Sequence, residues 1–297
     1  MATDLNALSV FALVAQERSF RAAADRLGVT RSAVSQTIGR LEATLGLALV
    51  RRTTRSVSLT EAGERLNAAL APALADITAA VENAGAHAGQ PRGQLRLAVS
   101  SIAERFLAGP LLAGFAAAHP GIQLDVTVTD AEFDIVAEGF DAGVRLGEVI
   151  EQDMIAVPVS GEQRQIVVGA PAFLARAGAP AHPRDLAGFR CIGWRPAPKV
   201  APYRWEFTED GRDFAVAVAP EITTNDMALM VKLAVAGAGL TCGMEETFRP
   251  FLARGELVEV LGAYCPPFAG FYLYYPSRRN LAPKLRALID HVRQPRG

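Results

Sequence analysis

The first 46 residues constrain the fold more than any other part of the chain, because they contain three short segments with helical periodicity. Apolar residues recur at helical spacing in residues 5–15, 20–27 and 31–45. Ser19 and Thr30 precede the second and third segments, and Gly28 and Gly46 follow them. Hydroxyl side chains cap helix N-termini and glycine commonly ends helices, so this pattern predicts three helices. The tight turn between the last two is typical of a helix-turn-helix.

The third predicted helix carries, opposite its apolar stripe, residue types that recognise DNA. Val34, Ile38 and Leu41 form the stripe. Arg pairs with guanine and Gln with adenine, each contact being worth about 1–3 kcal/mol of discrimination. The candidate DNA-contacting residues are Thr30, Arg31, Ser32, Ser35, Gln36 and Arg40. On this pattern alone, a purely structural helical hairpin is an open alternative.

The next segment and the distribution of charge also favour DNA. Residues 47–59 are β-prone and rich in hydroxyls, which predicts a two-stranded wing whose Arg51, Arg52 and Arg55 contact the sugar-phosphate backbone or a minor groove. Residues 1–60 hold eight Arg and four acids, a net charge of +4, whereas the whole chain has −1. A small basic head on a mildly acidic body is typical of a phosphate-binding domain, although a solvated basic face would look the same.

Residues 5–63 resemble the winged head of LysR-type transcriptional regulators. The matching positions include Leu8, Phe11, Ser19-Phe20, Ala22-Ala23, Ser32-Ala33-Val34-Ser35, Leu41-Glu42, Leu45-Gly46, Arg51-Arg52-Thr53 and Ala62-Gly63. The resemblance implies that double-stranded promoter DNA is read from the start of the third helix, and that Arg51 or Arg52 enters the minor groove. The family often has Gln at position 31, Arg at 36 and Phe at 50, where this chain has Arg31, Gln36 and Val50. The first two departures should change which operator is read.

Residues 61–92 are expected to form a linker helix and a hinge. After Thr60, apolar residues from Leu66 to Ala84 are spaced in threes and fours, which is typical of a coiled-coil-like seam. Pro72 lies inside the predicted helix and should bend it. Packing on the body of the same chain is the alternative. The resemblance implies instead a homodimer that assembles into a homotetramer.

Residues 93–297 alternate predicted strands and helices, which indicates mostly parallel α/β sheets. The expected fold class is α/β overall, with an all-α winged helix-turn-helix domain in residues 1–60 and a two-lobed α/β C-terminal domain. Lobe 1 would comprise about 93–160 and 268–297, and lobe 2 about 161–267. This body is similar to the periplasmic-binding-protein-like effector domain of the same family, most clearly in residues 140–147 and 233–240.

The resemblance of the body implies that a small-molecule effector binds between the lobes. By family position it would contact Ser100, Ser101, Thr127, Thr129, Arg145, Thr224 and Asn225. Helix N-termini and arginine favour anions, so we expect a small organic acid. An ordinary ion pair with a nearby acid is the alternative role for Arg145.

Other functional classes find little support in the sequence. It has no G-x-S-x-G elbow, H-E-x-x-H pair or Walker loop, so an enzyme is not expected, and neither is a cofactor or a metal. Residues 237–243 approximate a dinucleotide fingerprint, but the third Gly is one residue late.

The alternatives that are not enzymes are also weak. A DNA-architectural protein would not need the two-lobed body. Cys191, Cys242 and Cys265 are too widely spaced for a zinc or CxxC site, so buried thiols are expected rather than a redox sensor. The N-terminus lacks a signal-peptide pattern and no membrane contact is expected, which favours the cytoplasm.

Overall fold

The computed structural model describes residues 4–52, 57–85, 90–107, 109–131, 134–277 and 281–294. The helices are α1 (Leu5–Glu17), α2 (Phe20–Leu27), α3 (Arg31–Leu45), α4 (Glu61–Gly85), α5 (Glu104–Leu107), α6 (Pro110–Ala118), α7 (Pro171–Ala177), α8 (Met227–Val235), α9 (Glu245–Ala253) and α10 (Pro283–Arg293). The strands are β1 (Val50–Arg52), β2 (Val57–Leu59), β3 (Gly93–Val99), β4 (Ile122–Val128), β5 (Ala142–Leu146), β6 (Met154–Pro158), β7 (Gln163–Gly169), β8 (Cys191–Trp194), β9 (Trp205–Glu209), β10 (Arg212–Val216), β11 (Ile222–Thr224), β12 (Leu240–Met244), β13 (Val258–Val260), β14 (Pro267–Phe268) and β15 (Phe271–Pro276).

The helix ends in the head follow the predicted signals. The side chain of Ser19 accepts a hydrogen bond from the backbone N–H of Ala22, and Thr30 accepts one in the same way from Ala33. Gly28 and Gly46 follow α2 and α3 with φ of +66°, a left-handed conformation that glycine adopts without strain. The predicted helix-turn-helix is therefore confirmed.

Thr60 joins the wing to the linker helix α4. Its hydroxyl donates to the carbonyl of Ala48 (2.7 Å) and accepts from the N–H of Gly63 (3.0 Å). A Cβ at position 63 would lie 2.1 Å from the carbonyl oxygen of Leu49, so only glycine allows α4 to approach the wing this closely. The start of α4 packs on the head through Leu66, and its end is bonded to the body through Asn83.

The body contains two mixed sheets rather than mostly parallel ones. In lobe 1 the strand order is β4-β3-β5-β15-β6, and in lobe 2 it is β11-β8-β12-β7-β13, with β14 also paired to β7. Three neighbouring strands in each sheet are parallel. The antiparallel pairings in these two sheets all involve β7, with which the chain enters lobe 2, or β15, with which it returns to lobe 1. The chain passes between lobes after residue 158 and again after residue 268.

Each lobe has its own apolar core. Lobe 1 buries Leu97, Phe115 and Leu288 around its sheet, and lobe 2 buries Ile166 and Phe248 around the other. Two separate cores leave a cleft where the lobes meet, and the carboxyl ends of the parallel strands open towards that boundary.

Two predicted helices differ from the structure near the cleft. The helix expected from Ser100 to Ala118 is divided into a turn, α5 and α6, because Gly109 has φ +71° and Pro110 supplies no N–H for a continuing helix. The predicted N-cap Asn225 is also wrong. Asp226 caps α8, since its carboxylate accepts from the N–H of Leu229 at 2.9 Å.

Candidate DNA interface and effector cleft

The polar face of α3 is held towards solvent by the core beneath it. Val34, Ile38 and Leu41 are buried against α1 and α2. The structure leaves Thr30, Arg31, Ser32, Gln36 and Arg40 exposed and Ser35 half-buried. Nothing lies within 4 Å of the position where Gly39 would carry a side chain. The exposed face of α3 is thus polar, and it has no side chain at Gly39 that would keep the helix away from the major groove.

The wing is fixed to α3 by the carboxylate of Glu42, which is half-buried. Glu42 Oε1 accepts hydrogen bonds from the backbone N–H groups of Leu49 (2.8 Å) and Val50 (3.0 Å). β1 and β2 pair antiparallel, with Val50 opposite Leu59. Glu42 therefore sets the position of the wing relative to the recognition helix. The resemblance included Glu42, but its role was not predicted.

The arginines of the head fall into two groups. Arg18, Arg21 and Arg26 each form an ion pair with an acid. Within the described part of the chain, the exposed residues Arg31, Arg40 and Arg51 form none. The unpaired cations lie on α3 and the wing, which is the surface expected to meet phosphates. The side chain of Arg52 and the whole of Arg55 lie outside the described residues.

In lobe 1 the predicted effector residues meet at the carboxyl ends of three neighbouring strands. The N–H of Ser100 donates to the carbonyl of Val144 (3.1 Å), which places Arg145 beside Ser100. On the other side, the N–H of Thr129 donates to the carbonyl of Val99 (2.8 Å). Ser100, Thr129 and Arg145 are therefore adjacent, although 45 residues separate the first from the last.

The hydroxyls of Ser100 and Ser101 lie at this edge. Among the described residues, neither Ser100 Oγ nor Ser101 Oγ has a hydrogen bond, although both atoms are shielded from solvent. Ser101 is held by its backbone instead, because its N–H donates to Asp130 Oδ1 (2.8 Å). Buried polar groups in native proteins are nearly always hydrogen-bonded, so this pair is a candidate ligand position.

Lobe 2 contributes a third orphaned group at the corresponding edge. Trp194 ends the parallel strand β8, and its indole Nε1 is buried with no partner among the described residues. Thr224 lies opposite Trp194 in the neighbouring strand. Its hydroxyl accepts from the N–H of Asp226, the residue that caps α8. Asn225 is exposed between them.

Cavities formed by described residues extend from one lobe to the other. One of about 450 Å³ runs from Ser101 and Arg105 in lobe 1 to Met227 and Phe251 in lobe 2. Another, of about 610 Å³, lies towards the interlobe crossings, and its lining includes the acids Glu148, Glu206 and Asp213 and the aromatic residues Phe207, Phe214 and Phe268. Sequence reasoning missed the acidic cavity, because its lining comes from segments with no shared pattern.

Thr127 lies on β4, two residues before Thr129, where lobe 1 meets the head. It is exposed and, together with Thr129, lines a crevice between lobe 1 and α1 of the head. The family position of Thr127 therefore corresponds here to the contact between head and body.

Sequence comparisons decide the family. Residues 5–64 match the bacterial regulatory helix-turn-helix protein, lysR family, and residues 88–295 match the LysR substrate binding domain. The chain belongs to the LysR family of transcriptional regulators. A putative transcriptional regulator of Pseudomonas aeruginosa is 41% identical over 99% of this chain and 97% of its own.

Solved LysR-family structures share the fold. The full-length virulence activator AphB of Vibrio cholerae has a TM-score of 0.63 at 24% identity and covers 97% of this chain and 98% of its own. LysG of Corynebacterium glutamicum, solved with bound effector Arg, has a TM-score of 0.63 at 20% identity, with 97% and 98% covered.

The three cysteine thiols are held in their neutral form by burial. Burial raises the pKa of the Cys191 thiol to about 12 and that of Cys265 to about 11, and it raises the pKa of Cys242 well above its usual range. No three potential metal ligands cluster anywhere in the described ranges. None of the helices in those ranges is long and apolar enough to span a bilayer.

Proposed function

We propose that this LysR-family regulator is a cytoplasmic homodimer that binds a pseudo-palindromic promoter site and is controlled by a small organic acid in the interlobe cleft. Each head would place α3 in a major groove and its wing on the adjacent backbone. The proposed DNA contacts are Thr30, Arg31, Ser32, Ser35, Gln36, Arg40 and Arg51, with Arg52 and Arg55 on the wing. The exposed, unpaired cations on this face support the proposal.

The linker helix supports dimerisation. Ile77 is 54% exposed and Val81 is 68% exposed, one turn further along α4. Apolar residues spaced by four on a long helix are typical of a helix-helix seam. A twofold dimer also matches the symmetry of a pseudo-palindromic site, and two dimers would form the homotetramer.

One observation carries the effector proposal: the hydroxyls of Ser100 and Ser101 in lobe 1 are buried and have no partner among the residues that the structure describes. Ser101 lines the cavity that reaches Met227 and Phe251 of lobe 2, and in lobe 2 the Trp194 indole N–H is also without a partner among the described residues. Donors of this kind suit a carboxylate or a carbonyl. The proposed binding residues are Ser100, Ser101, Thr129, Arg145, Thr224 and Asn225, with Thr127 at the margin.

Arg145 is the proposed anchor for the acid. Its Nη2 donates to the carbonyl of Ala131 at 2.6 Å. A carboxylate would replace that neutral acceptor by a charged one, and hydrogen bonds between charged groups are about twice as strong. An anionic effector would therefore compete well with Ala131 for the guanidinium.

A cationic or zwitterionic effector is the second candidate. Glu148, Glu206 and Asp213 line the larger interlobe cavity. These carboxylates would attract an amine. LysG, which shares the fold, is solved with bound effector Arg, a molecule that has both a carboxylate and a cationic group.

Thermal-shift titration distinguishes the candidates. We expect organic acids to raise Tm, because a ligand that binds only the folded state stabilises it by mass action. Arg145→Gln should abolish that shift, whereas Arg286→Ala, an exposed arginine on α10, should keep it. The panel should also contain basic amino acids and polyamines. A shift with these alone would replace the acid by the second candidate, and a shift retained in Arg145→Gln would remove Arg145 as the anchor.

A further inference from the structure

The end of α1 in the head contacts a turn of lobe 1 that is more than 100 residues away in sequence. Arg18 Nη2 forms an ion pair with Glu138 Oε1 at 2.9 Å. Gln16 Nε2 donates to the carbonyl of Glu138 at 3.4 Å. These contacts join the DNA-binding head directly to the effector domain, apart from the linker helix.

The turn is shaped to receive α1. Gly139 has φ +74°, a conformation that favours glycine, and a Cβ there would lie 2.0 Å from Gln16 Nε2, so a side chain at 139 would displace the end of the Gln16 side chain. Arg96 of β3 holds the turn from behind, because its Nη1 donates to the carbonyl of Gly139 at 2.9 Å. The guanidinium of Arg96 also lies over the ring of Phe140.

The same crevice reaches the effector cleft. It has a volume of about 500 Å³, and its lining includes Gln16 and Arg18 from the head and Thr129, Ala131 and Glu138 from lobe 1. The carbonyl of Ala131 is the acceptor that Arg145 holds. A ligand group that binds the Arg145 guanidinium would break its hydrogen bond to Ala131, and this side of the crevice would then be free to move.

We infer that Gln16 and Arg18 on α1, together with Glu138 and Gly139 on lobe 1, form a latch that fixes the orientation of the head relative to the body. The latch leaves the recognition surface open, since its contacts come from α1 and not from the exposed face of α3. Its function is to set the spacing between the two heads of a dimer. The coupling to the cleft through Ala131 rests on the effector site proposed above.

The latch is built to open. Arg18 is 71% exposed and Glu138 is 36% exposed, and ion pairs as exposed as this are weak and screened by salt. The contact therefore biases the head towards one orientation without locking it. A weak contact between two bodies joined by a linker is suited to population shifts.

The distance between head and lobe 1 tests the latch without effector or DNA. Spin labels or dyes would be attached through Thr44→Cys and Gln123→Cys, both exposed positions, because the three native thiols are buried. Labelled protomers are mixed with an excess of unlabelled protein to isolate distances within one chain. The wild type should give one narrow distribution.

Charge reversal should open the latch and a double reversal should close it. Arg18→Glu and Glu138→Arg should each broaden the distribution, whereas the two combined should restore it. Glu162→Arg, which reverses an exposed acid on the other lobe, should change nothing. A wild-type distribution as broad as that of the single variants, or no recovery in the double variant, overturns the latch.

The effect on DNA separates orientation from folding of the head. A duplex selected from a random library by the wild-type protein supplies one half-site or two. Glu138→Arg should bind the single half-site within about twofold of wild type, and the paired half-sites about fivefold or more weakly. Equal loss on both duplexes overturns a role in spacing.

The coupling between the cleft and the latch through Ala131 is tested separately. Arg145→Ala should broaden the distance distribution in the absence of any effector, because Ala131 loses its partner. An unchanged distribution overturns the coupling while the charge-reversal result stands.

Discussion

The head and the body use their charged groups in opposite ways. In the head, Arg31, Arg40 and Arg51 are exposed and have no ion pair within the described residues. In the body, Arg164 is held between Glu245 and Glu259 at 2.9 and 3.0 Å. Instead, the body buries the hydroxyls of Ser100 and Ser101 without a hydrogen-bond partner among the described residues. The head is suited to an extended, charged partner that arrives from solvent, and the body to a small molecule that it encloses.

The largest predicted effect tests whether head and body are separate folding units. Phe11 and Phe248 are both fully buried, one in each unit. Truncating a buried Phe to Ala costs about 3–5 kcal/mol, a large part of the stability of a domain. Phe11→Ala should abolish DNA binding and keep effector stabilisation, and Phe248→Ala should do the reverse.

Calorimetry checks this separation. Each variant should lower one thermal transition and leave the other within a few degrees of wild type. If either substitution lowers both transitions equally, the molecule unfolds as one unit and the comparison fails.

The second prediction concerns the two groups of head arginines. Arg31→Ala should weaken binding to the selected duplex by about 1–3 kcal/mol, because a base contact is lost. Arg51→Ala should reduce the slope of log affinity against log salt by about one, because a phosphate contact is lost. Arg21→Ala removes an arginine that is paired with Asp25, so binding should change little.

Salt titrations by fluorescence anisotropy measure all three variants. If Arg21→Ala lowers the affinity for DNA as much as Arg31→Ala does, then the absence of an ion pair does not identify the arginines that contact DNA.

The head was predictable from sequence because its signals are local. Capping residues, terminal glycines and a stripe with period 3.6 lie within single helices, and the structure confirms the caps at Ser19 and Thr30. The close approach at Gly63 was not predicted, because it depends on where Leu49 lies in space.

The body was less predictable because its site combines distant segments. Ser100 and Arg145 become neighbours only through the pairing of β3 and β5. The division of the helix after Ser101 could have been read from Gly109-Pro110, and the cap at Asp226 from its place just before an apolar helix. The latch involves a turn with no sequence signature, so only the structure reveals it.

A third, smaller effect has opposite signs with and without effector. Ser101→Ala removes a buried hydroxyl that has no partner in the described part of the chain, so the free protein should be unchanged or up to about 1 kcal/mol more stable. The same substitution should reduce the Tm shift produced by the effector. Thr241→Val is the matched control, since the Thr241 hydroxyl is buried but donates to the carbonyl of Ile192 at 3.1 Å.

Thermal melts of both variants, with and without ligand, provide the measurement. Thr241→Val should lose about 1 kcal/mol and keep the effector shift. If Ser101→Ala is as destabilised as Thr241→Val, the Ser101 hydroxyl has a partner in solution and is not waiting for a ligand.

The smallest predicted effect is the low reactivity of the three cysteine thiols in the native protein. It tests whether the body senses a ligand or an oxidant. Burial, and then the charge of Glu221, raise the pKa of Cys191 to about 12, while burial and Glu259 raise that of Cys265 to about 11. The thiolate is the reactive form, and at pH 8 it amounts to about one part in a thousand or less at these pKa values. Iodoacetamide should therefore modify none of the three in the native protein and all three after denaturation, as counted by mass spectrometry.

The raised thiol pKa values also make the free energy of unfolding fall as the pH rises above about 9, the ordinary thiol pKa. The reason is that the unfolded chain loses its thiol protons at lower pH than the folded chain. If a thiol of the native protein reacts as fast as in the denatured protein, the result would favour a body that senses an oxidant over one that encloses a ligand.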